Sequence, residues 1–317
     1  MSLTHGRRFV LENHAPMESS ATSTESAPDV ESGATRSFHV ADLAIPVVAQ
    51  PLTLPLVVWG ATSSTVHRLL LGEGALLAIN ASLVFYAAGP TPTVRLLWAM
   101  VVSTLTLGVM YMFNDLYDAP ADRRNPKKDP RLVSLYLEYP HVWYPLVYGV
   151  NALTVVLAWA TLGPESAAAV LAVSLVNVVY STVLKGVPVV DVAWCGLWGG
   201  AYAAIVGGSP YLLVLVGLMT AMCHLFQALG DRRTDAVNEI TTTAVFSRPL
   251  SGVVLCVLSA LIFAMVRVPL GTPLGLTAFV PVGLFFALSS SHRAWLLTKA
   301  YFAAMWLVVL GQLRAVA

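Results

Sequence analysis

Two acidic clusters carry the chemistry this chain can do. In Asn114-Asp115-Leu116-Tyr117-Asp118-Ala119-Pro120-Ala121-Asp122 three carboxylates close a long apolar run, and Asp231 with Asp235 closes another. Spacings of i, i+3 and i+7 in the first cluster and i, i+4 in the second stack the acids on one face of each helix. Carboxylates at membrane depth are costly and persist beside cations or water. Magnesium takes hard oxygen ligands and is usually held by a few carboxylates together with substrate phosphates. Two acidic helices facing each other therefore suit a ligand with two phosphates. Asp115, Asp118, Asp122, Asp231 and Asp235 are the expected metal ligands.

The acids have cationic company. Arg123, Arg124, Lys127, Lys128 and Arg131 follow the first cluster, Lys185 ends a later apolar run, and Arg232 and Arg233 sit inside the second cluster. Magnesium on one side of a diphosphate and Lys or Arg on the other neutralise it as its carbon–oxygen bond breaks. The expected chemistry is ionisation of a diphosphate ester. Asp115, Asp118, Asp231 and Lys185 are its expected centre, and Arg124, Lys128 and Arg232 its expected diphosphate contacts. Any single Arg here also satisfies the positive-inside rule; Lys185 stands apart by lying between spans and Arg232 by being flanked by acids. Tyr111, Asn114, Asn177, Tyr180, His224 and Gln227 fall near the same helix ends, with Asn80 deeper. Polar groups inside a membrane face the bundle interior, where they contact ligand or tie helices together. Tyr111 and Tyr180 also fit an interfacial aromatic belt. Asp191 is read either as a partner of Lys185 or as a contact to a polar acceptor.

These residues must be positioned by membrane helices. The chain has 317 residues, 57% hydrophobic and 11% charged, with a mean hydropathy of +0.72; an ordinary soluble domain is about one quarter charged. A net charge of +1 argues against nucleic acid, which calls for a basic patch. Cys195, Cys223 and Cys256 lie in apolar runs without metal-ligand spacing and read as small buried hydrophobes. Residues 1–38 are polar, lack the apolar core of a cleavable signal, and are expected to form a disordered tail outside the chemistry. The remainder, 39–317, is expected to be one transmembrane domain.

Apolar runs recur at 41–61, 71–89, 94–114, 141–162, 165–182, 189–207, 210–229, 249–267, 273–290 and 293–313. Most approach the ~20 residues needed to cross the hydrocarbon. The first carries Pro46, Pro51 and Pro55 and reads as a kinked span, a re-entrant segment or an interfacial helix. The expected fold is all-α, a polytopic bundle of about nine transmembrane helices. With alternating spans, most Lys and Arg share one face with both acidic clusters, while Arg95, Arg267 and Arg314 fall on the other. The positive-inside rule then puts the site near the cytoplasmic face.

On these residues the chain resembles the UbiA superfamily of intramembrane prenyltransferases. Asn114, Asp115, Asp118 and Asp122 match its N-D-x-x-D-x-x-x-D pattern, and Asp231 and Asp235 its D-x-x-x-D pattern four spans later. Thr242-Thr243-Ala244-Val245 is similar to the T-L-A-V that follows the second pattern, and Tyr180-Ser181 with Lys185 to the family's Y-S/T…L-K element. The resemblance covers about residues 71–313. It implies nine helices around a central cavity, two Mg2+ ions held by the two motifs, and a lateral opening for an isoprenoid chain. It further implies an isoprenyl diphosphate donor whose allylic cation alkylates a small lipophilic or aromatic acceptor, with membrane lipid as surroundings. The chain departs from the family where Glu73-Gly74 replaces an R-P pair, where Arg131-Leu132-Val133-Ser134 replaces Arg-Pro-x-x-x-Gly, and where Glu239 replaces a glycine. These departures fit a divergent member in specialised, terpenoid metabolism.

The alternatives are a UbiA-type terpene cyclase, which calls for an aromatic cavity without an acceptor pocket, and phosphoribosyl transfer to a polyprenyl phosphate, suggested by the Lys185-to-Asp191 run. From a different class comes an ion-binding membrane transporter, which calls for broken helices around a mid-membrane site.

Overall fold

The computed structural model describes residues 52–69, 74–88, 93–123, 125 and 128–316. The expected tail lies outside them, and all described residues belong to one compact unit, Leu43–Ala317. Among them every regular element is helical. In chain order these are α1 (Leu54–Arg68), α2 (Gly74–Ala88), α3 (Thr93–Asp122), α4 (Pro130–Glu138), α5 (Pro140–Leu162), α6 (Pro164–Val179), α7 (Val190–Ala204), α8 (Pro210–Val237), α9 (Thr243–Phe246), α10 (Arg248–Gly275), α11 (Val280–Ala287) and α12 (Ser291–Val316). Proline opens α4, α5, α6 and α8, where its missing N–H costs nothing. Ser209, Thr242 and Ser247 cap α8, α9 and α10 with side-chain oxygens.

Six of the described helical stretches are long and apolar enough to cross a membrane: Val94–Asp122, Pro140–Leu162, Pro164–Leu184, Pro210–Val237, Arg248–Ala287 and Ser291–Ala315. Arg248–Ala287 covers two expected runs in one 40-residue stretch. Gly271, with φ 75° and ψ 161°, breaks it between Pro269 and Pro273. The expected run 71–89 appears as the shorter α2, and 189–207 as α7. The expected segment 41–61 falls only partly within the described residues, and the helix found there, α1, is shifted toward residue 68.

The nine-residue helix α4 was not expected from periodicity. Asp129 caps it by accepting from the Arg131 N–H at 2.9 Å. Hydrogen bonding from the Arg131 side chain, more than offsetting partial burial, holds the Asp129 carboxyl below its ordinary range. Helix α4 buries Val133, Leu135 and Tyr136 and is tied to α1 by the Tyr136 hydroxyl, which donates to the Gly60 carbonyl at 3.1 Å. A side chain at Gly60 would collide with Trp143, whose ring would lie 2.7 Å from the added carbon.

The tightest helix pairing is α7 against α8, and small residues permit it. A Cβ on Gly217 would lie 2.8 Å from the Gly196 carbonyl oxygen, and one on Gly199 2.3 Å from the Thr220 hydroxyl. Such close backbone approach is how helices associate where lipid removes the hydrophobic drive. Gly217→Val should therefore separate α7 from α8 and displace the second acidic cluster. Size-exclusion profiles in detergent should show loss of the monodisperse species; a wild-type profile would contradict this packing account.

Candidate functional site

Helices α1–α4, α6–α8 and α12 wall a cavity of about 860 Å³. Asp115, Asp118 and Asp122 from the last turns of α3, and Asp231 and Asp235 from the last turns of α8, all line it. So do Asn114, Tyr111, Asn177, Tyr180, Gln227, Lys128 and Lys185. Sequence segments more than 100 residues apart thus meet on one surface because α3 and α8 end on the same side of the bundle. Asp118, Lys185, Asp231 and Asp235 share the wall of one cavity, which brings the two clusters together.

Each carboxylate of the first cluster is paired with a lysine through one oxygen. Lys128 Nζ lies 2.7 Å from Asp115 and 2.9 Å from Asp122, whose side chains are 10% and 11% exposed. Lys185 Nζ donates to Asp118 at 2.5 Å. Charge pairs this sheltered lose much of their hydration and hold together only with close geometry. Among the described residues no three acidic, His or Cys groups are gathered tightly enough to grip one ion, and the ammonium groups stand where cations are wanted. The donor set itself is all carboxylate oxygen, the chemistry of a hard divalent cation. Two buried polar atoms on the cavity wall, Trp198 Nε1 and Asn238 Oδ1, have no hydrogen-bond partner, an arrangement a ligand or solvent would satisfy.

Local structure explains how Lys185 reaches Asp118. After α6 the chain makes a π-helical turn, Tyr180–Leu184, closed by the Lys185 N–H to the Tyr180 carbonyl at 2.7 Å. Such widened turns concentrate at functional sites. Gly186 then turns the chain with φ 93° and brings it against Thr241.

Asp191 takes neither role expected of it. It is fully buried, does not line the cavity, and accepts from the Thr243 N–H at 2.9 Å and from the Thr243 hydroxyl. Thr243 in turn accepts from the Val189 N–H at 2.7 Å. The Thr-Thr-Ala-Val stretch is thus an anchor joining the segment after the second cluster to the loop that carries Lys185. The run from Lys185 to Asp191 presents only its first residue to the cavity, which removes the geometric basis for reading it as a phosphoribosyl site. Asp191→Ala should cost roughly 2–3 kcal/mol, the cost of stranding hydrogen bonds to a charged group. Thermal unfolding in detergent should show a drop of several degrees, and an unchanged midpoint would contradict the anchor role.

Other expectations need correction. Asn80 is wholly buried and absent from the cavity wall; its amide donates to Ser103 at 2.9 Å and to the Tyr202 carbonyl at 3.3 Å, tying α2 to α3 and α7. Arg232 is exposed and points away from the cavity lining, because on α8 it follows Asp231 by one residue and so turns to another face. Arg124 lies outside the described residues. Asn177 combines both readings, lining the cavity while donating to the Met110 carbonyl at 3.4 Å. Glu239 adopts φ 58°, a left-handed conformation that a glycine takes freely, which accounts for the glycine expected there.

Several cavity residues escaped the sequence reading. Trp59 comes from α1, with Arg131 above its ring at 5.3 Å; Trp194 and Trp198 come from α7; Trp295 and Trp306 come from α12. Lys299, also on α12, places its ammonium 3.9 Å from the Trp295 ring centroid. A lysine inside an otherwise apolar run was the available signal.

Fold and cavity together define a helical membrane protein with an acidic, lysine-paired site at one end of an aromatic chamber. The family model described as the UbiA prenyltransferase family matches residues 75–310, and the chain belongs to that family; with its long apolar helices it is an integral membrane protein. Curated relatives include proteins named lycopene elongase/hydratase. That of Haloarcula japonica is 33% identical over 164 residues, 50% of this chain and 56% of the relative. That of Haloferax volcanii is 29% identical over 204 residues, 59% of this chain and 65% of the relative. The matches thus span less than two thirds of those relatives' length. Among solved structures, a UbiA homolog from Archaeoglobus fulgidus bound to DMAPP and Mg2+ is 20% identical with a TM-score of 0.54, covering 78% of this chain and 99% of that one. The same homolog bound to GPP and Mg2+ gives a TM-score of 0.52 at 19% identity. At this identity the likeness is one of fold.

Proposed function

We propose that the chain is a Mg2+-dependent intramembrane prenyltransferase that ionises an isoprenyl diphosphate and transfers the prenyl group to a lipophilic acceptor. The observation that carries this reading is the convergence of both acidic clusters, Lys128 and Lys185 on one cavity whose other walls are rich in tryptophan. Asp115, Asp118, Asp122, Asp231 and Asp235 are the residues to hold the metal, which when bound supplies positive charge to the departing diphosphate. Lys185 and Lys128 exchange their carboxylate partners for diphosphate oxygens, and Asn114, Tyr111, Gln227 and Asn177 border the donor. The carbon–oxygen bond breaks with its electron pair on the diphosphate, leaving an allylic cation. Tryptophan faces stabilise that cation and exclude water.

The names of the curated relatives favour a long polyene such as lycopene as acceptor. Helix ends and charge favour nine crossings, formed by α2, α3, α5, α6, α7, α8, the two parts of Arg248–Ala287, and α12, with the site on the cytoplasmic side. The tryptophan lining also favours a second reading, terpene cyclisation at the same metal site. Purified protein given magnesium and dimethylallyl, geranyl, farnesyl or geranylgeranyl diphosphate, with and without lycopene, separates the two. Prenylated lycopene supports transfer, cyclic hydrocarbon without acceptor supports cyclisation, and absence of diphosphate release under every condition contradicts both.

A further inference from the structure

Any neutral acceptor open to this chemistry, whether alkene, arene or hydroxyl, becomes positively charged on taking a prenyl cation and must then lose one proton. The carboxylates of the first cluster are committed to cations, Asp115 and Asp122 to Lys128 and Asp118 to Lys185. Another pair lines the same cavity. The Tyr180 hydroxyl lies 3.3 Å from His224 Nε2, and the two rings meet edge to face with centroids 5.8 Å apart. His224 precedes Asp231 by two turns of α8, so it stands on nearly the same helix face roughly 10 Å deeper. That is the direction in which the hydrocarbon part of a donor anchored at the acids extends.

We infer that Tyr180 and His224 form the proton-accepting pair that ends the reaction; this rests on the transferase reading. A phenol has one donor and two acceptor lone pairs. With Nε2 accepting from the Tyr180 hydroxyl, the oxygen of that hydroxyl keeps its acceptor lone pairs in a residue that lines the cavity. For an alkene acceptor, its π electrons attack C1 of the allylic cation, forming the new carbon–carbon bond and leaving positive charge on the acceptor carbon. The adjacent C–H bond then breaks and its electron pair becomes a new double bond. The proton goes to the Tyr180 oxygen as the proton already on Tyr180 passes to Nε2. The charge thus ends on the imidazole, the diphosphate keeps the electron pair of its broken bond, and no oxidant or reductant is consumed.

The test measures diphosphate release and prenylated product in the same sample, with purified protein, magnesium, dimethylallyl diphosphate and lycopene. The ratio of product to diphosphate counts only turnovers, so it does not depend on how much of a variant is folded. The wild-type chain is expected to give a ratio near unity. His224→Gln and Tyr180→Phe are expected to lower it at least ~10-fold, within the range of a general base, with dimethylallyl alcohol making up the difference: an adduct that keeps its proton breaks its new carbon–carbon bond, returning lycopene and the dimethylallyl cation, which water captures. An unchanged ratio in His224→Gln overturns the inference. Loss of diphosphate release in a variant that still binds donor also overturns it, since the pair then acts in ionisation. Absence of diphosphate release by the wild-type chain contradicts the transferase reading itself.

Discussion

Asp115→Ala and Asp231→Ala should each lower magnesium-dependent diphosphate release by about three orders of magnitude. Losing a ligand weakens the charge stabilisation of the departing diphosphate by several kcal/mol, and ~4 kcal/mol is roughly a thousandfold in rate. Both variants should remain folded and inserted. Asp115 pairs with Lys128 at 28% side-chain exposure, and a lysine this accessible re-solvates or re-pairs with Asp122, already 2.9 Å away. Asp122→Ala and Asp235→Ala should have smaller effects if those acids act through metal-bound water. The check is diphosphate release at saturating magnesium with inserted protein quantified in parallel. Near-normal release by the Asp115→Ala, Asp231→Ala double variant would remove the metal site from the mechanism and move an ion-binding or structural role ahead.

Lys185→Met should lower turnover about 100-fold. Lys185 is held by the π-helical turn and the Thr243 anchor so that its ammonium meets Asp118 at 2.5 Å inside the cavity. A preorganised donor at a developing anion is worth on the order of a hundredfold to a thousandfold. Because its contact with the leaving oxygen strengthens as charge develops, kcat should fall more than KM rises. Lys185→Arg should restore only part of the rate, since a planar fork does not reproduce a point charge in a confined place. Steady-state kinetics of diphosphate release decide it; a variant with raised KM and unchanged kcat would reduce Lys185 to donor binding.

The sequence was most legible where spacing alone fixed geometry. Two patterns of helical periodicity put five acids on two helix faces, and the structure brings both faces to one cavity. Lys128 and Lys185 could be read as companions of those acids because short loops leave few alternatives. Illegible residues depended on orientation or on partners far along the chain. Arg232 sits among site acids in sequence, yet one residue on a helix turns it about 100° away. Asn80 and Asp191 are polar residues in apolar surroundings, a pattern shared by ligand contacts and interhelical ties; only Ser103, Tyr202 and Thr243 as neighbours distinguish them. Trp59, Trp295 and Lys299 join the site through α1 and α12, at opposite ends of the described chain. Helix α4 is too short for periodicity to identify, and its cap at Asp129 was the available sign.

The central claim is that α3 and α8 jointly hold one metal–diphosphate cluster. Its most direct test is a structure of the protein with manganese and geranyl S-thiolodiphosphate, using the anomalous signal of manganese to locate the ions. The account predicts anomalous peaks between the carboxylates of Asp115, Asp118 and Asp122 and those of Asp231 and Asp235, with the thiolodiphosphate bridging them and Lys185 turned onto its oxygens. Diphosphate bound elsewhere, or manganese held by only one of the two helices, would contradict it.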